Sequence, residues 1–348
     1  MNNYYIEKKL KIEKIKYISV LATLLITLFI VGLMSVCMGA MDIKVFDVFK
    51  VMAGKIFGTE PNVAENILSV IWNIRLPRII CSCFIGMGLA VSGAIFQAIL
   101  QNPLADPYTI GISTGASFGA SAAITVNLIF GIYFPTVSAA LIGAFVTLFI
   151  VILIARKGGS FNSSNIVIAG IIVSSVLSSG VSFMKILAGE NVGAIVFWIM
   201  GSLSAKGWSD VIIVAPICVI LTIISVFFAK SLDIMALGDE AAGSLGVNVN
   251  RARFLYLTAG SVITAVCVSV CGVIGFVGLI VPHLIRFWIT ARNRALIPLS
   301  ALFGALLLMT ADTFARLISS GEIPVGILTT LIGGPFFIFI FMKKRVGG

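Results

Sequence analysis

Long apolar stretches recur along the whole chain, and short polar segments separate them. A helix that crosses a membrane needs about 20 predominantly apolar residues. The stretches of suitable length predict ten spans, over residues 17–40, 72–99, 108–130, 135–155, 164–188, 211–230, 254–273, 275–291, 296–318 and 325–342. A shorter apolar helix, over 192–203, is expected at the membrane interface. Between the seventh and eighth spans, Gly272 and Gly275 indicate either a turn or a kink.

The composition agrees with this pattern. The chain is 59% hydrophobic and 11% charged, whereas a soluble domain is about half apolar and about a quarter charged. No polar stretch is long enough to form a separate soluble domain. The sequence therefore predicts an all-α polytopic membrane protein with one transmembrane domain over residues 1–348.

The net charge of +10 indicates a topology rather than a nucleic-acid partner. Nucleic-acid binding would require the charges to cluster on one face, but here they lie in the gaps between apolar runs. Two thirds of the 24 Lys and Arg residues fall on the side that carries both termini. By the positive-inside rule, the termini, including residues 1–16, are predicted to be cytoplasmic. Arg75, Arg78 and Arg316 then lie on the outer side, against the trend.

The segment Arg75-Leu76-Pro77-Arg78 places two arginines at the outer mouth of the second span. Proline suits the first turn of a helix, so Arg75 and Arg78 are expected to flank a helix N-terminus. The helix dipole disfavours each cation there by about 0.3–1 kcal/mol. Two interpretations stay open. The arginines reach towards the interface as ordinary amphipathic side chains, or they dock the carboxylates of an external protein by bidentate pairing.

Asp312 and Arg316 are spaced i, i+4 near the outer end of the ninth span. A charge inside a membrane costs about 2.5–3.5 kcal/mol on insertion scales. The spacing places the two side chains on one helix face, so we expect them to form an ion pair.

The fifth span carries a serine-rich face. At about 100° per residue, its serines fall within a sector of roughly 140°. Small hydroxyl residues allow close helix packing, and they also line polar pathways. Both interpretations hold if this helix lines a pore at a subunit interface. The serines are Ser174, Ser175, Ser178, Ser179 and Ser182.

A charged, glycine-bounded segment over residues 237–247 lies on the predicted cytoplasmic side, between the sixth and seventh spans. It is either a plain loop or a short amphipathic helix that inserts into the groove of a partner protein.

The sequence contains no pattern that would carry covalent chemistry. The phosphate-loop pattern GxxxxGK[ST] is absent, so a separate subunit must hold any ATP-Mg that drives the protein. His283 is the only histidine, which excludes a His-based metal cluster or a Ser-His-Asp triad within one chain. We expect no catalytic residue, bound metal or cofactor in this chain. An ion-coupled secondary transporter is the alternative, but it needs ionisable residues deep in the spans, and only Asp312 comes close.

Four blocks of residues resemble the FecCD-type permeases of ABC importers for ferric siderophores, haem and cobalamin. The first joins Arg75-Leu76-Pro77-Arg78, Ser92-Gly93 and Asn102-Pro103-Leu104-Ala105-Asp106-Pro107. The second is 236–247. The third is Gly275-Phe276-Val277-Gly278-Leu279-Ile280-Val281-Pro282-His283. The fourth joins Glu322-Ile323-Pro324-Val325-Gly326 and Gly333-Gly334-Pro335-Phe336.

This resemblance implies the fold of cobalamin-importer-type (type II) permeases, with about ten transmembrane helices in the cytoplasmic membrane. It implies a homodimer or close heterodimer, two ABC ATPase subunits that hydrolyse ATP, and an extracytoplasmic substrate-binding protein. The expected cargo is an iron chelate, such as a siderophore complex or haem, or cobalamin.

The resemblance also assigns roles to residues. Docking of the binding protein falls to Arg75, Arg78 and Arg316. Contact with the ATPases falls to the coupling segment, 236–253, through Leu237, Gly238, Asp239, Glu240, Ala241, Ala242, Leu245 and Gly246. The positions that match the cytoplasmic gates of the family are Asn102 with Leu104, and Asn162 with Ser163. The serine face, inferred from the residues themselves, adds Ser174, Ser178 and Ser182 to the candidate pathway. The loop Gly158-Gly159-Ser160-Phe161 departs from the more basic pattern of the family.

Overall fold

The computed structural model describes residues 2–39, 41–59, 61–157, 161–318 and 323–345. Gly158–Ser160 and Glu322, which the sequence analysis singled out, lie outside these ranges. Within them every regular element is helical. The long helices are α1 (Asn2–Cys37), α4 (Leu76–Ile99), α5 (Ile112–Phe130), α6 (Thr136–Lys157), α7 (Ser163–Ala188), α9 (Trp208–Phe227), α12 (Val249–Cys271), α14 (Asn293–Ile318) and α15 (Val325–Arg345). The shorter ones are α2 (Val45–Phe57), α3 (Glu65–Ser69), α8 (Val192–Ile199), α10 (Ala229–Met235), α11 (Asp239–Ser244) and α13 (Val277–Trp288).

The described helices match the ten predicted spans. Eight are long and apolar enough to cross a membrane. Two shorter apolar segments, Val277–Trp288 and the part of α15 over Val325–Ile338, coincide with the eighth and tenth predicted spans. Gly272 and Phe276 both have positive φ angles, 73° and 67°, and helix α12 ends at Cys271. The ambiguous region is therefore a turn between two separate helices. Helix α8 confirms the predicted short helix, and its position at the interface stays a prediction.

Helix α4 forms the centre of the bundle and packs against α9, α12, α13 and α14. Two glycines on α4 make this packing possible. A Cβ atom on Gly86 would collide with the carbonyl oxygen of Gly304 on α14, and one on Gly93 would collide with that of Gly278 on α13. Small residues at helix contacts let backbones approach closely in a membrane, where dispersion replaces the hydrophobic effect.

Pro77 lies in the first turn of α4, as predicted, but this turn is not a free helix N-terminus. The helix begins at Glu65 and continues through a π-helical stretch, Val70–Arg75, into α4. Pro77 has no N–H group and cannot donate a hydrogen bond to a carbonyl of the preceding turn. The wider π-helical turn lies just before it. The N–H of Leu76 bonds to the carbonyl of Ile71, five residues back. Arg75 and Arg78 therefore lie within a continuous helix and do not face an exposed positive dipole.

Helix α2 was not predicted from the sequence. It is only 13 residues long, too short to be identified as a span. It buries Val48, Val51 and Gly54 against the bundle and leaves Phe46 and Phe57 exposed. It is therefore an amphipathic helix between the first two spans.

Candidate functional site

Arg75 holds the loop that follows the first span. Its Nη1 donates to the carbonyls of Val36 at 2.7 Å and Cys37 at 2.9 Å, and its Nη2 donates to that of Met41 at 2.6 Å. The residue is 5% exposed. The guanidinium thus satisfies carbonyls at the C-terminal end of α1, where no further helical turn supplies donors.

Arg78 and Arg316 hold a buried carboxylate between them. The Nη2 atom of Arg78 lies 2.9 Å from Oδ1 of Asp312, and its Nε lies 3.1 Å from Oδ2. The Nε atom of Arg316 lies 3.5 Å from the same Oδ2 atom. The Nη2 atom of Arg316 also donates to the carbonyl and hydroxyl oxygens of Ser35. This charge cluster, Arg78, Asp312, Arg316 and Ser35, ties α1, α4 and α14 together at one end.

The structure corrects the environment expected for the three docking arginines. The exposed fraction of the side chain is 8% for Arg78 and 9% for Arg316, and all three guanidinium groups bind within the chain. The predicted Asp312–Arg316 pair is present, but Arg78 makes the closer contact with Asp312. Sequence reasoning missed this third member, since it lies 234 residues from Asp312.

The serine face of α7 is exposed in the isolated chain. Ser175, Ser178, Ser179 and Ser182 are all exposed, while Ser174 turns inward against Gly111 at the start of α5. The hydroxyls of Ser175, Ser179 and Ser182 bond to carbonyls one turn back. Such internal bonds lower the cost of placing a hydroxyl beside another helix. The arrangement suits both a subunit contact and a polar pathway.

The two predicted gate segments lie side by side. The hydroxyl of Ser163 donates to the carbonyl of Ile99, at the C-terminal end of α4. Asn162 is the N-cap of α7 and accepts from the N–H of Asn165 at 2.8 Å. Asn102 shapes the exposed turn after α4 by accepting from the N–H of Leu104 at 2.9 Å. Their proximity is consistent with a shared gate, and gating itself stays a prediction.

The coupling segment contains the short helix predicted as one of its two alternatives. Helix α11 covers only Asp239–Ser244 and buries Ala242. Leu237 and Leu245, at its two ends, are 66% and 61% exposed. Two large apolar side chains beside charged residues form a surface that a partner protein can cover.

The turn between α4 and α5 borders a cavity of about 570 Å³, lined by Asp106, Tyr108, Met200, Phe276, Gly326 and Leu331 among others. Asp106 accepts from the N–H groups of Tyr108 and Thr109. Burial raises the pKa of its carboxyl to about 6, although these two hydrogen bonds oppose the shift. In the sequence, Asp106 stood out only as one residue of the first block that resembles the FecCD-type permeases.

Replacing Asp106 by Asn is expected to stabilise the protein at neutral pH. A raised pKa in the folded state means that ionisation opposes folding, so the penalty is complete above pH 6 and absent below about pH 4. The expected gain is about 1–2 kcal/mol at pH 7.5, because Asn keeps an acceptor oxygen and the site is partly exposed. Unfolding midpoints of both proteins in detergent, measured from pH 4 to 8, test this. A difference between the two midpoints that stays the same from pH 4 to 8 would contradict this prediction.

Comparisons with known proteins agree with this architecture. Residues 25–343 match the model of the FecCD transport family. The chain is 39% identical to the cobalamin import system permease protein BtuC of Halobacterium salinarum, over 82% of this chain and 76% of that protein. It is 37% identical to the hemin transport system permease protein HmuU of Yersinia pestis, over 93% and 96%.

Among solved structures, the chain resembles one described as an inward-facing conformation of a metal-chelate type ABC transporter. The TM-score is 0.82 at 31% identity, and the match covers 93% of this chain and 99% of that chain. The family model, which matches residues 25–343, covers all ten predicted spans apart from the start of the first. The chain therefore belongs to the FecCD transport family, as a transmembrane permease of the ABC importer type.

Proposed function

We propose that this chain forms, with a second copy of itself, the membrane pathway through which an iron chelate or cobalamin enters the cell. Two separate ABC ATPase subunits supply the free energy, and an extracytoplasmic binding protein delivers the cargo. The observation that carries the proposal is the exposed serine face of α7. Lipid solvates hydroxyl groups poorly, so this face is best explained as lining a cavity between two copies.

The relatives support the class of cargo. Their names specify cobalamin for the protein from Halobacterium salinarum and hemin for that from Yersinia pestis. Both are bulky metal complexes, whose passage requires a wide cavity rather than a narrow ion path. An iron chelate is our first choice, and cobalamin is the second.

The distribution of charge supports the orientation. The basic excess on the side of the termini favours a cytoplasmic location for them, and in that orientation the coupling segment faces the ATPases. The outer end carries Arg75 and the charge cluster, in which two arginines share one carboxylate. This excess positive charge favours an acidic binding protein there, although each guanidinium already has partners within the chain.

Hydrolysis and uptake by the reconstituted complex test the proposal. The chain is purified with its candidate ATPase, placed in vesicles and supplied with binding protein carrying a ferric siderophore, hemin or cobalamin. We expect no hydrolysis by the chain alone, hydrolysis by the complex that rises with loaded binding protein, and uptake of one cargo. Uptake that needs an ion gradient and no ATPase would instead identify an ion-coupled secondary transporter.

A further inference from the structure

Arg253 lies where three predicted cytoplasmic segments meet. It is the last residue of the coupling segment, 236–253, and is not among the residues to which the family resemblance assigns ATPase contact. It belongs to the second turn of α12, which begins at Val249. The residue is 1% exposed. A guanidinium so deeply buried needs hydrogen-bonded partners, and the partners it has belong to two other segments of the chain.

The first partner is Asp239 in α11. The Nη2 atom of Arg253 lies 2.7 Å from Oδ1 and 3.0 Å from Oδ2 of that carboxylate. The Asp239 side chain is 46% exposed, so the ion pair reaches from the protein interior to the surface of the coupling segment.

The second partner is the loop that precedes α7. The Nη1 atom of Arg253 donates to the carbonyl of Phe161 at 3.0 Å. Phe161 immediately precedes Asn162, the N-cap of α7, and Ser163 then bonds to the end of α4. A displacement of the Phe161 carbonyl would therefore displace the start of α7, the helix that carries the serine face.

Helix α11 has the features of an element that can move. Gly238 and Gly246 bound it with φ angles of 102° and 85°, a region that glycine adopts without strain. Nothing lies within 4 Å of a Cβ atom placed on either glycine. Among the described residues, the ion pair between Asp239 and Arg253 is the only salt bridge that ties α11 to the bundle.

We propose that Arg253 is a positioning residue that transmits movement of α11 to the N-terminus of α7 and so couples the ATPase cycle to the pathway. The inference rests on the proposed function. One planar guanidinium binds both segments through different nitrogen atoms. A shift of α11 therefore moves the guanidinium and, with it, the hydrogen bond to the Phe161 carbonyl. Arginine suits this task because its rigid fork holds two acceptors at once, whereas the lysine ammonium is a single point.

The test compares Arg253→Lys with the wild type in vesicles that contain the complete transporter. The quantity measured is the number of cargo molecules transported per ATP hydrolysed. We expect this ratio to fall roughly tenfold, which corresponds to the loss of one hydrogen bond to a charged group. A merely structural role would lower transport and hydrolysis together and leave the ratio unchanged.

Arg294→Lys is the matched control. Arg294 lies near the start of α14, outside the coupling segment, and is exposed. We expect its ratio to equal that of the wild type. Asp239→Asn is a second variant at a half-exposed position, and we expect it to lower the ratio in the same direction but less strongly. It keeps the test decisive if Arg253→Lys fails to assemble.

The outcomes separate two kinds of failure. If the wild-type complex moves no cargo with ATP, the proposed function is wrong. If the wild type transports and Asp239→Asn or Arg253→Lys retains the wild-type ratio, the role assigned to Arg253 is overturned and the proposed function stands.

Discussion

Replacing Asp312 by Ala is expected to lower the free energy of unfolding by about 3–5 kcal/mol, the usual cost of removing one partner from a buried ion pair. Asp312 is 1% exposed and lies between Arg78 and Arg316. Its loss would leave two like charges buried side by side with no carboxylate. Because the dielectric constant of the membrane region is low, the repulsion between these two charges costs more free energy there than it would at a water-exposed surface.

Denaturant titration of the purified protein in micelles measures this effect. Asp47→Ala provides the matched control. Asp47 is 4.0 Å from Lys50 on α2, with both side chains partly exposed. A surface pair of this kind contributes about 0–1 kcal/mol. Equal losses for the two variants would show that Asp312 does not hold α1, α4 and α14 together at the charge cluster.

Replacing Gly93 by Ala is expected to destabilise the protein by about 3 kcal/mol, the upper part of the usual range for overpacking. The new methyl group would collide with the carbonyl oxygen of Gly278. A backbone atom within a helix cannot rotate away as a side chain can, so α4 and α13 would have to separate. Because α4 is the central helix, its other contacts would be strained as well.

Gly193→Ala is the corresponding control, since Gly193 lies in helix α8 with nothing within 4 Å of the added Cβ atom. It should be neutral or stabilise by up to about 1 kcal/mol, because alanine loses less backbone entropy than glycine in a helix. Unfolding midpoints of both variants in the same detergent test the pair. If Gly93→Ala unfolds like Gly193→Ala, the close approach of α4 and α13 is not required.

The contacts of the three arginines include one that the local sequence predicts and others that it does not. Spacing along the chain gave the pair between Asp312 and Arg316, because residues four apart share a helix face. It could not give Arg78 as the nearer partner, nor the carbonyls around Cys37 that bind Arg75. Both depend on which helices become neighbours, and a linear pattern of apolar residues does not specify that. The expectation of a free helix N-terminus at Pro77 also failed, because the helix continues upstream through a π-helical turn.

The coupling segment shows the same limit. Its glycines and charges left a plain loop and a short helix open, and the structure has the short helix α11. Arg253 was only one more basic residue in the charge count, and nothing in its sequence context distinguished it from Arg251. Folding buries Arg253 and exposes Arg251, because only one of them faces Phe161 and Asp239.

The sequence by itself indicated about ten spans, the class of the protein and the approximate positions of the long helices. These follow from the thickness of the hydrocarbon layer and from local turn chemistry, both of which act on consecutive residues. The tertiary structure alone decided which side chains are buried together: the charge cluster, the glycine contacts of α4 and the links made by Arg253. The physical reason is that burial and pairing depend on contacts between residues far apart in the chain.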